Sequence, residues 1–479
     1  MRPLIQEIQT AHTPEALVEN LRGEPGTVLL RTSQFDSPSA RYSFLTARPF
    51  LNFCSFGSRC EIVAANVSSQ LTQFGNPWHL LDALMSRFEL LDEIDWPFPL
   101  GGAFGYWGYD LKNFVEPRLT RRAVNDLELP DCHVGFFDSL VAFDHHLGKT
   151  WIISTGLGED GSRDEAHARV AKNFWENALN GPVVESGAPP ATPAGAVRSN
   201  LTREQFIAKV ERACRYIRAG DIYQVNLSQR LDAVCSLSGW EFFQQLSTVS
   251  PAPFSAYLDC SEFQIISSSP ELFLRLSGSH ILTRPIKGTR PRSADSNHDA
   301  RLTYELQTSP KEMAELVMIT DLLRNDLGRV CEYGSVQVPE LVRLERYPQV
   351  QHLVSTVEGR LRANVPHFAA FASCFPGGSI TGAPKIRAME IIDELEPVTR
   401  GPYTGALGYL GFNRESQLAV AIRTAVCRDK RLWFHAGAGI VADSNPEAEY
   451  DETLAKARGF LDALMLKFPE SVSLHSAPQ

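Results

Sequence analysis

Apolar and polar positions follow two rhythms along this chain. Short alternating runs such as Gly26-Thr27-Val28-Leu29-Leu30 and Thr150-Trp151-Ile152-Ile153-Ser154 predict strands in the first third. Further strands are predicted over 222–227, 263–266, 272–276, 418–427 and 431–436. A period near 3.6 predicts helices over 202–219, 309–327, 384–395 and 446–466. Phe206, Val210, Ala213 and Ile217 form the buried face of the first. Leu316, Ile319, Leu323 and Leu327 form that of the second, and Leu454, Ala457, Leu461 and Leu464 that of the last. Strands and helices mix without a regular βαβ rhythm, so the class is read as α+β. The string Gly101-Gly102-Ala103-Phe104-Gly105-Tyr106-Trp107-Gly108-Tyr109-Asp110 predicts a strand pair whose glycines admit close backbone approach.

The pattern lapses at 181–200, where Gly187-Ala188-Pro189-Pro190-Ala191-Thr192-Pro193-Ala194-Gly195 carries no large apolar side chain. This reads as a linker between an N-terminal region, 1–180, and a second domain, 201–466, with a tail over 467–479. A chain of 479 residues exceeds one ordinary core, which agrees with two domains or one large composite.

Composition narrows the function. Hydrophobic residues make up 43% and charged residues 21%, the profile of a globular soluble protein. A net charge of -10 argues against nucleic acid and anionic membrane as partners, although a basic pocket could still hold an acidic substrate. No apolar run approaches a membrane span, and the first residues lack the core of a secretory signal. The nine cysteines are irregularly spaced and form no CxxC pair, so reduced thiols in a cytoplasmic protein are the simplest reading.

Three constellations carry candidate chemistry. The first is a pair of carboxylate helices. Glu312 and Glu315 share one face of the 309–327 helix; Glu449, Glu452 and Lys456 share one face of the 446–466 helix, which Asn445-Pro446 starts well. Such faces are either solvated or, brought together, an oxygen-rich site for a hard divalent cation. The second is anion-binding. Phe375-Pro376-Gly377-Gly378-Ser379-Ile380-Thr381-Gly382-Ala383-Pro384-Lys385 is a glycine-rich loop leading into a helix, and such a terminus favours a carboxylate. Arg400-Gly401-Pro402-Tyr403-Thr404-Gly405 is a turn able to hold a tyrosine rigidly. Arg423, in an apolar predicted strand, requires either a structural salt bridge or a bidentate ligand. Ala436-Gly437-Ala438-Gly439-Ile440-Val441 offers backbone without side-chain bulk. The third is Pro285-Ile286-Lys287-Gly288-Thr289-Arg290, preceded by Ser269-Pro270-Glu271 and followed by Val350-Gln351-His352-Leu353. Lys287 reads as a surface-turn lysine or a nucleophile, and His352 as a satisfied core histidine or a catalyst.

The order of these strings resembles the chorismate-utilising enzymes, strongly over roughly 200–465 and weakly before it. That family includes anthranilate synthase component I, isochorismate and salicylate synthases, and aminodeoxychorismate synthase component I. The resemblance implies an anthranilate-synthase-like composite with large antiparallel sheets flanked by helices, and 201–466 as its chorismate-binding catalytic domain. It implies Glu315 and Glu452 as direct Mg²⁺ ligands, with Glu312 and Glu449 behind them through water. It further implies Gly288, Thr289, Ser379, Tyr403, Arg423, Gly437, Ala438, Gly439 and Lys456 as chorismate contacts, and His352 near the ring as a proton donor or polariser.

Within the family, the water-adding members have a lysine base where this chain has Gln224, and glutamine cannot act as a base. Anthranilate synthases typically have alanine where this chain has Lys287, whereas aminodeoxychorismate synthases typically have lysine. The expectation is therefore a Mg²⁺-dependent amination of chorismate at the carbon that loses its hydroxyl, through a Lys287-linked intermediate with Glu271 as proton carrier. Arg284 and Arg290 flank Lys287 and could crowd it. Ammonia would come from a separate glutamine amidotransferase subunit, because no cysteine here sits on a glycine-flanked nucleophile turn. Anthranilate synthase component I is the alternative, and a non-catalytic metabolite-binding subunit the alternative from another class. Regulated anthranilate synthases carry Leu-Leu-Glu-Ser where this chain has Leu29-Leu30-Arg31-Thr32-Ser33, which places feedback inhibition by tryptophan in doubt.

Overall fold

A computed structural model describes residues 2–32, 40–65, 70–93, 95–184, 196–347, 350–466 and 473–474. Two large sheets organise the α+β fold, one of 13 strands and one of 12 among those residues, and helices flank them. Pairing is antiparallel, save that Arg198–Ser199 meets Ser473–Leu474 in parallel.

Neither sheet belongs to one half of the sequence. In the larger, Val28–Arg31 pairs with Phe254–Asp259; in the smaller, Gly102–Trp107 lies between Cys132–Phe137 and Ala406–Gly411. The glycine and aromatic string thus forms a packed inner strand. Gly105 opposes Gly408, and a Cβ at Gly105 would stand 2.1 Å from the His133 carbonyl oxygen. Residues 185–195 of the proposed linker, and all of the proposed tail but 473–474, lie outside the described residues. The division into an N-terminal region and a catalytic domain remains a proposal about chain organisation, since both sheets draw strands from either side.

The helices start where capping residues stand. Thr202 and Gln205 form a reciprocal capping box ahead of Arg203–Arg218. Ser309 accepts the Glu312 N–H ahead of Pro310–Gly328, and Asn445 accepts the Glu447 and Ala448 N–H groups ahead of Pro446–Ala463. Leu316, Ile319, Leu323 and Leu327 are buried as their spacing predicts, each contributing about 1.5–3 kcal/mol by leaving water. Ala457, Leu461 and Leu464 are buried likewise, while Leu454 is half-buried. With one polar edge turned from the core, each of these helices keeps its carboxylates available.

One predicted strand is corrected. The run over 418–427 is two strands, Glu415–Val420 in the smaller sheet and Thr424–Arg428 in the larger. The chain changes sheet at Arg423, whose φ of 48° breaks the extended backbone. Apolar periodicity could not reveal this, because residues on both sides of the break are buried.

Candidate active site

Four strands and two helices converge on one cleft. Lys287 lies on Ile286–Pro291, paired with Leu353 of Val350–Arg360. The register slips between Lys287 and Thr289, leaving Gly288 as an extra residue at φ 70°. A Cβ there would meet Leu306 at 2.7 Å and Glu312 Oε2 at 3.1 Å, so the bulge requires glycine and brings the backbone against the first carboxylate helix.

The side chains around Lys287 are acidic. Glu271 is buried, and burial pushes its carboxyl above the usual range against the pull of Ser379, Lys287 and Lys456. The Ser379 hydroxyl and the Ile286 backbone hydrogen-bond this carboxylate, which ties the glycine-rich loop to the lysine strand. Glu315 is raised by burial and by repulsion from Glu312 and Glu452, and lowered by Lys287 and Lys311. Burial opposes ionisation of Glu452, yet Lys456, Lys311 and Lys287 together hold its carboxyl below the usual range.

The groups beside the lysine differ from expectation at its flanking arginines and at His352. Arg284 pairs with Glu345, and Arg290 contacts Glu312 at 3.4 Å, so both flanking arginines are committed to carboxylates of their own. Thr289 is exposed, and its hydroxyl bonds His352 Nδ1 at 2.8 Å. Burial and the nearby Arg423 hold the His352 ring down to about 4, so the imidazole is neutral near pH 7. It can polarise or accept, but it is not a ready cationic acid.

The opposite wall is the strand pair Gln224–Val234 and Arg431–Ile440. A Cβ at Gly437 would meet Tyr403 Oη at 2.8 Å and Asn226 Oδ1 at 2.9 Å; one at Gly439 would meet Gln224 Nε2 at 2.6 Å. The two glycines therefore open a cradle facing three polar groups. Ala438 points the other way, into the core beside Leu227, so only its backbone faces the cradle side. Among the described residues Gln224 Oε1 and Asn226 Oδ1 are buried without a hydrogen-bond partner, the condition expected of groups that meet a ligand. Asn226 escaped the sequence reading because a lone asparagine in a strand carries no signal. Arg423 is half-buried, burial alone lowers its guanidinium, and no carboxylate lies within ion-pair distance among the described residues. That removes the salt-bridge reading and leaves a guanidinium open to an anion.

The four helix carboxylates face one another through electrostatic coupling rather than contact. Glu449 is buried, raised by burial and by Glu452, and its Oε2 lacks a partner although Ser444 hydrogen-bonds the carboxylate. Lys456 Nζ holds Glu452 Oε1 at 2.7 Å and donates to the Gly437 carbonyl at 2.9 Å. Among the described residues no three His, Cys, Asp or Glu side chains close to metal-ligating distance. The repelling carboxylates and the orphaned Glu449 oxygen nonetheless suit a hard divalent cation. Lys311, which acts on Glu315, Glu449 and Glu452, is a further member that the sequence did not single out.

A second cavity, of about 30 Å³, lies between the sheets and is lined by Arg31, Thr32, Tyr42, Pro253, Tyr409 and neighbours. Arg31 forms an ion pair there with Glu15. Ser33, the end of the string compared with the regulated enzymes, lies outside the described residues.

The chorismate binding enzyme family matches residues 37–462. The chain is 40% identical to aminodeoxychorismate synthase component 1 of Klebsiella aerogenes, over 93% of this chain and 95% of that one. It is 38% identical to anthranilate synthase component 1 of Acetivibrio thermocellus, over 96% and 95%. Anthranilate synthase component I from Streptococcus pneumoniae superposes with a TM-score of 0.77 at 31% identity, over 89% of this chain and 94% of that one.

Proposed function

The chain belongs to the chorismate binding enzymes, and from that premise we propose that it is the large subunit of an aminodeoxychorismate synthase. It converts chorismate and ammonia to 4-amino-4-deoxychorismate, a precursor of 4-aminobenzoate in folate synthesis. The observation that carries this reading is Lys287 between Glu271, Glu315 and Glu452, where a lysine has a proton acceptor at hand.

In this reading Arg423 and Lys456 take the substrate's carboxylates, and the Gly437 and Gly439 cradle admits the ring beside Tyr403. The raised Glu271 accepts a proton from the Lys287 ammonium. The freed amine attacks the ring carbon next to the one carrying the ring carboxylate. Both conjugated ring double bonds shift one position toward the hydroxyl-bearing carbon, and the hydroxyl departs from it as water with the proton that Glu271 returns. Ammonia then adds where the hydroxyl was, the double bonds shift back, and Lys287 is expelled. The net exchange is hydroxyl for amine, with the enolpyruvyl ether intact. Glu315 and Glu452, backed by Glu312 and Glu449, would hold Mg²⁺, which supplies Lewis-acid polarisation of a bound carboxylate. Ammonia comes from a separate glutamine amidotransferase subunit, and the reaction belongs in the cytoplasm.

A second reading, anthranilate synthase component I, is favoured by the relative in Acetivibrio thermocellus. One assay with chorismate, Mg²⁺ and ammonium separates the two. The expected product is one that a lyase converts to 4-aminobenzoate; fluorescent anthranilate with pyruvate would establish the second reading instead.

A further inference from the structure

Behind the cleft stands a buried ion pair that reaches three of its walls. Arg400 and Glu396 are four residues apart and both buried. Arg400 Nη2 donates to Glu396 Oε1 at 2.7 Å, and Nε donates to Oε2 at 2.8 Å. The remaining donors are spent on other segments. Nη1 reaches the Ile380 carbonyl at 3.2 Å and Thr404 Oγ1 at 3.0 Å, and Nη2 reaches the Asn226 carbonyl at 2.8 Å. Glu396 Oε1 also accepts from the Ser228 N–H at 2.8 Å and the Ser228 hydroxyl at 3.0 Å.

The partners are informative by their neighbours. Ile380 follows Ser379, which bonds Glu271; Thr404 follows Tyr403; Asn226 itself lines the cradle. The Arg400 guanidinium also lies 5.6 Å from the centre of the Tyr403 ring and 4.6 Å from that of Tyr109. Tyr109 belongs to the glycine and aromatic string of the N-terminal region. The next residue, Asp110, accepts the Gly401 N–H at 2.9 Å.

We propose that Arg400, held by Glu396, is a positioning residue that fixes the glycine-rich loop, the Tyr403 turn and the Gln224–Val234 strand in the register that binds chorismate. A planar fork with five donors suits this task, since it can bond five acceptor atoms on four residues in fixed directions. Lysine, with three donors on one atom, could not span them. The proposal rests on the chorismate reading of the cleft, and its test is chosen to fail separately from it.

Two variants serve: Arg400→Lys, and the double variant Arg400→Met with Glu396→Gln, which removes both charges so that neither is left buried alone. Chorismate binding is measured by calorimetry with Mg²⁺ present, alongside kcat and thermal melting. The expected result is a weakening of chorismate binding by about tenfold or more in a folded variant, with kcat changed less, because displacing walls by fractions of an ångström costs binding first. A purely structural role would lower the melting temperature and leave the dissociation constant of the folded fraction unchanged, and that result would overturn the proposal. If the double variant does not fold, Arg400→Lys decides by the same comparison. If the unaltered chain does not bind chorismate, the functional reading fails instead.

Discussion

The cleft and the N-terminal cavity are both walled by strands of the two sheets, and each holds an arginine. Beside the N-terminal cavity the opposite charges pair, although Arg31 Nη1 and Glu15 Oε1 have no hydrogen-bond partner among the described residues. Arg31 pairs with Glu15, and Thr32 donates to the Pro253 carbonyl at 3.1 Å. In the cleft Lys456 pairs with Glu452, but Arg423 has no such partner among the described residues. Glu315 and Glu449 repel the acids beside them, and Gln224 and Asn226 each keep an unsatisfied oxygen. Buried polar groups without partners are costly, and where they cluster the missing partner is a ligand. The difference is between an arginine already paired with a carboxylate, Arg31, and one left open to an anion, Arg423.

The sharpest attack on that contrast is the metal. Glu315→Gln should leave the fold intact, since it removes a repelled charge, and should abolish Mg²⁺-dependent turnover. Chelation of the unaltered enzyme should do the same, with recovery on adding Mg²⁺. Circular dichroism and a Mg²⁺ titration check it; an unchanged Mg²⁺ dependence would remove Glu315 from the site.

Next comes the nucleophile. Lys287→Ala should lower kcat on the order of 10³-fold while chorismate still binds. Mass spectrometry of quenched reactions should find a covalent adduct with the unaltered chain and none with the variant. Full activity in the alanine variant would dispose of the covalent route.

Arg423→Lys should weaken chorismate binding by about 10- to 100-fold, since a point charge replaces a bidentate fork at a cost of about 1.5–3 kcal/mol. Unchanged binding by calorimetry would return Arg423 to a structural role.

A smaller effect is expected at His352. Its pKa near 4 leaves it neutral at every pH above about 5, so it contributes no titration limb to activity in the working range. His352→Gln should lower turnover by about tenfold, yet give a pH profile parallel to the parent from pH 6 to 9. A limb present in the parent and lost in the variant would show that the imidazolium takes part.

The same contrast explains what was readable from residues alone. The helix carboxylates were legible because caps and a 3.6-residue apolar stripe place Glu312, Glu315 and Glu452 away from the core, with Glu449 on the same side as Glu452 although buried. Lys287 and Glu271 stood out by the strings around them. The pairing of Val28–Arg31 with Phe254–Asp259 was not legible, since their alternations fit many partners and more than two hundred residues intervene. The Arg400 network was half-legible. The turn was visible, but its acceptors at Asn226 and Ile380 are backbone carbonyls, which every residue has. The break at Arg423 was hidden by continuous burial.

The smallest expected effect tests the settled side of the comparison. If Arg31 and Glu15 satisfy each other, the N-terminal cavity offers no free carboxylate to the amine of an amino acid. Tryptophan at millimolar concentration should then leave chorismate turnover unchanged. Arg31 is half-buried, so Arg31→Ser would release Glu15 into the cavity at little cost to the fold, and Glu15 would become available to an ammonium group. The variant should therefore bind tryptophan more tightly than the parent, though by no more than one exposed charge pair allows, about 0.2–1 kcal/mol. Calorimetry on both proteins provides the comparison, with turnover followed in parallel. Strong inhibition of the unaltered enzyme would show that Arg31 yields its partner to a ligand. The N-terminal cavity would then be a second site awaiting occupation, and the distinction between the two regions would have to be drawn from shape rather than charge.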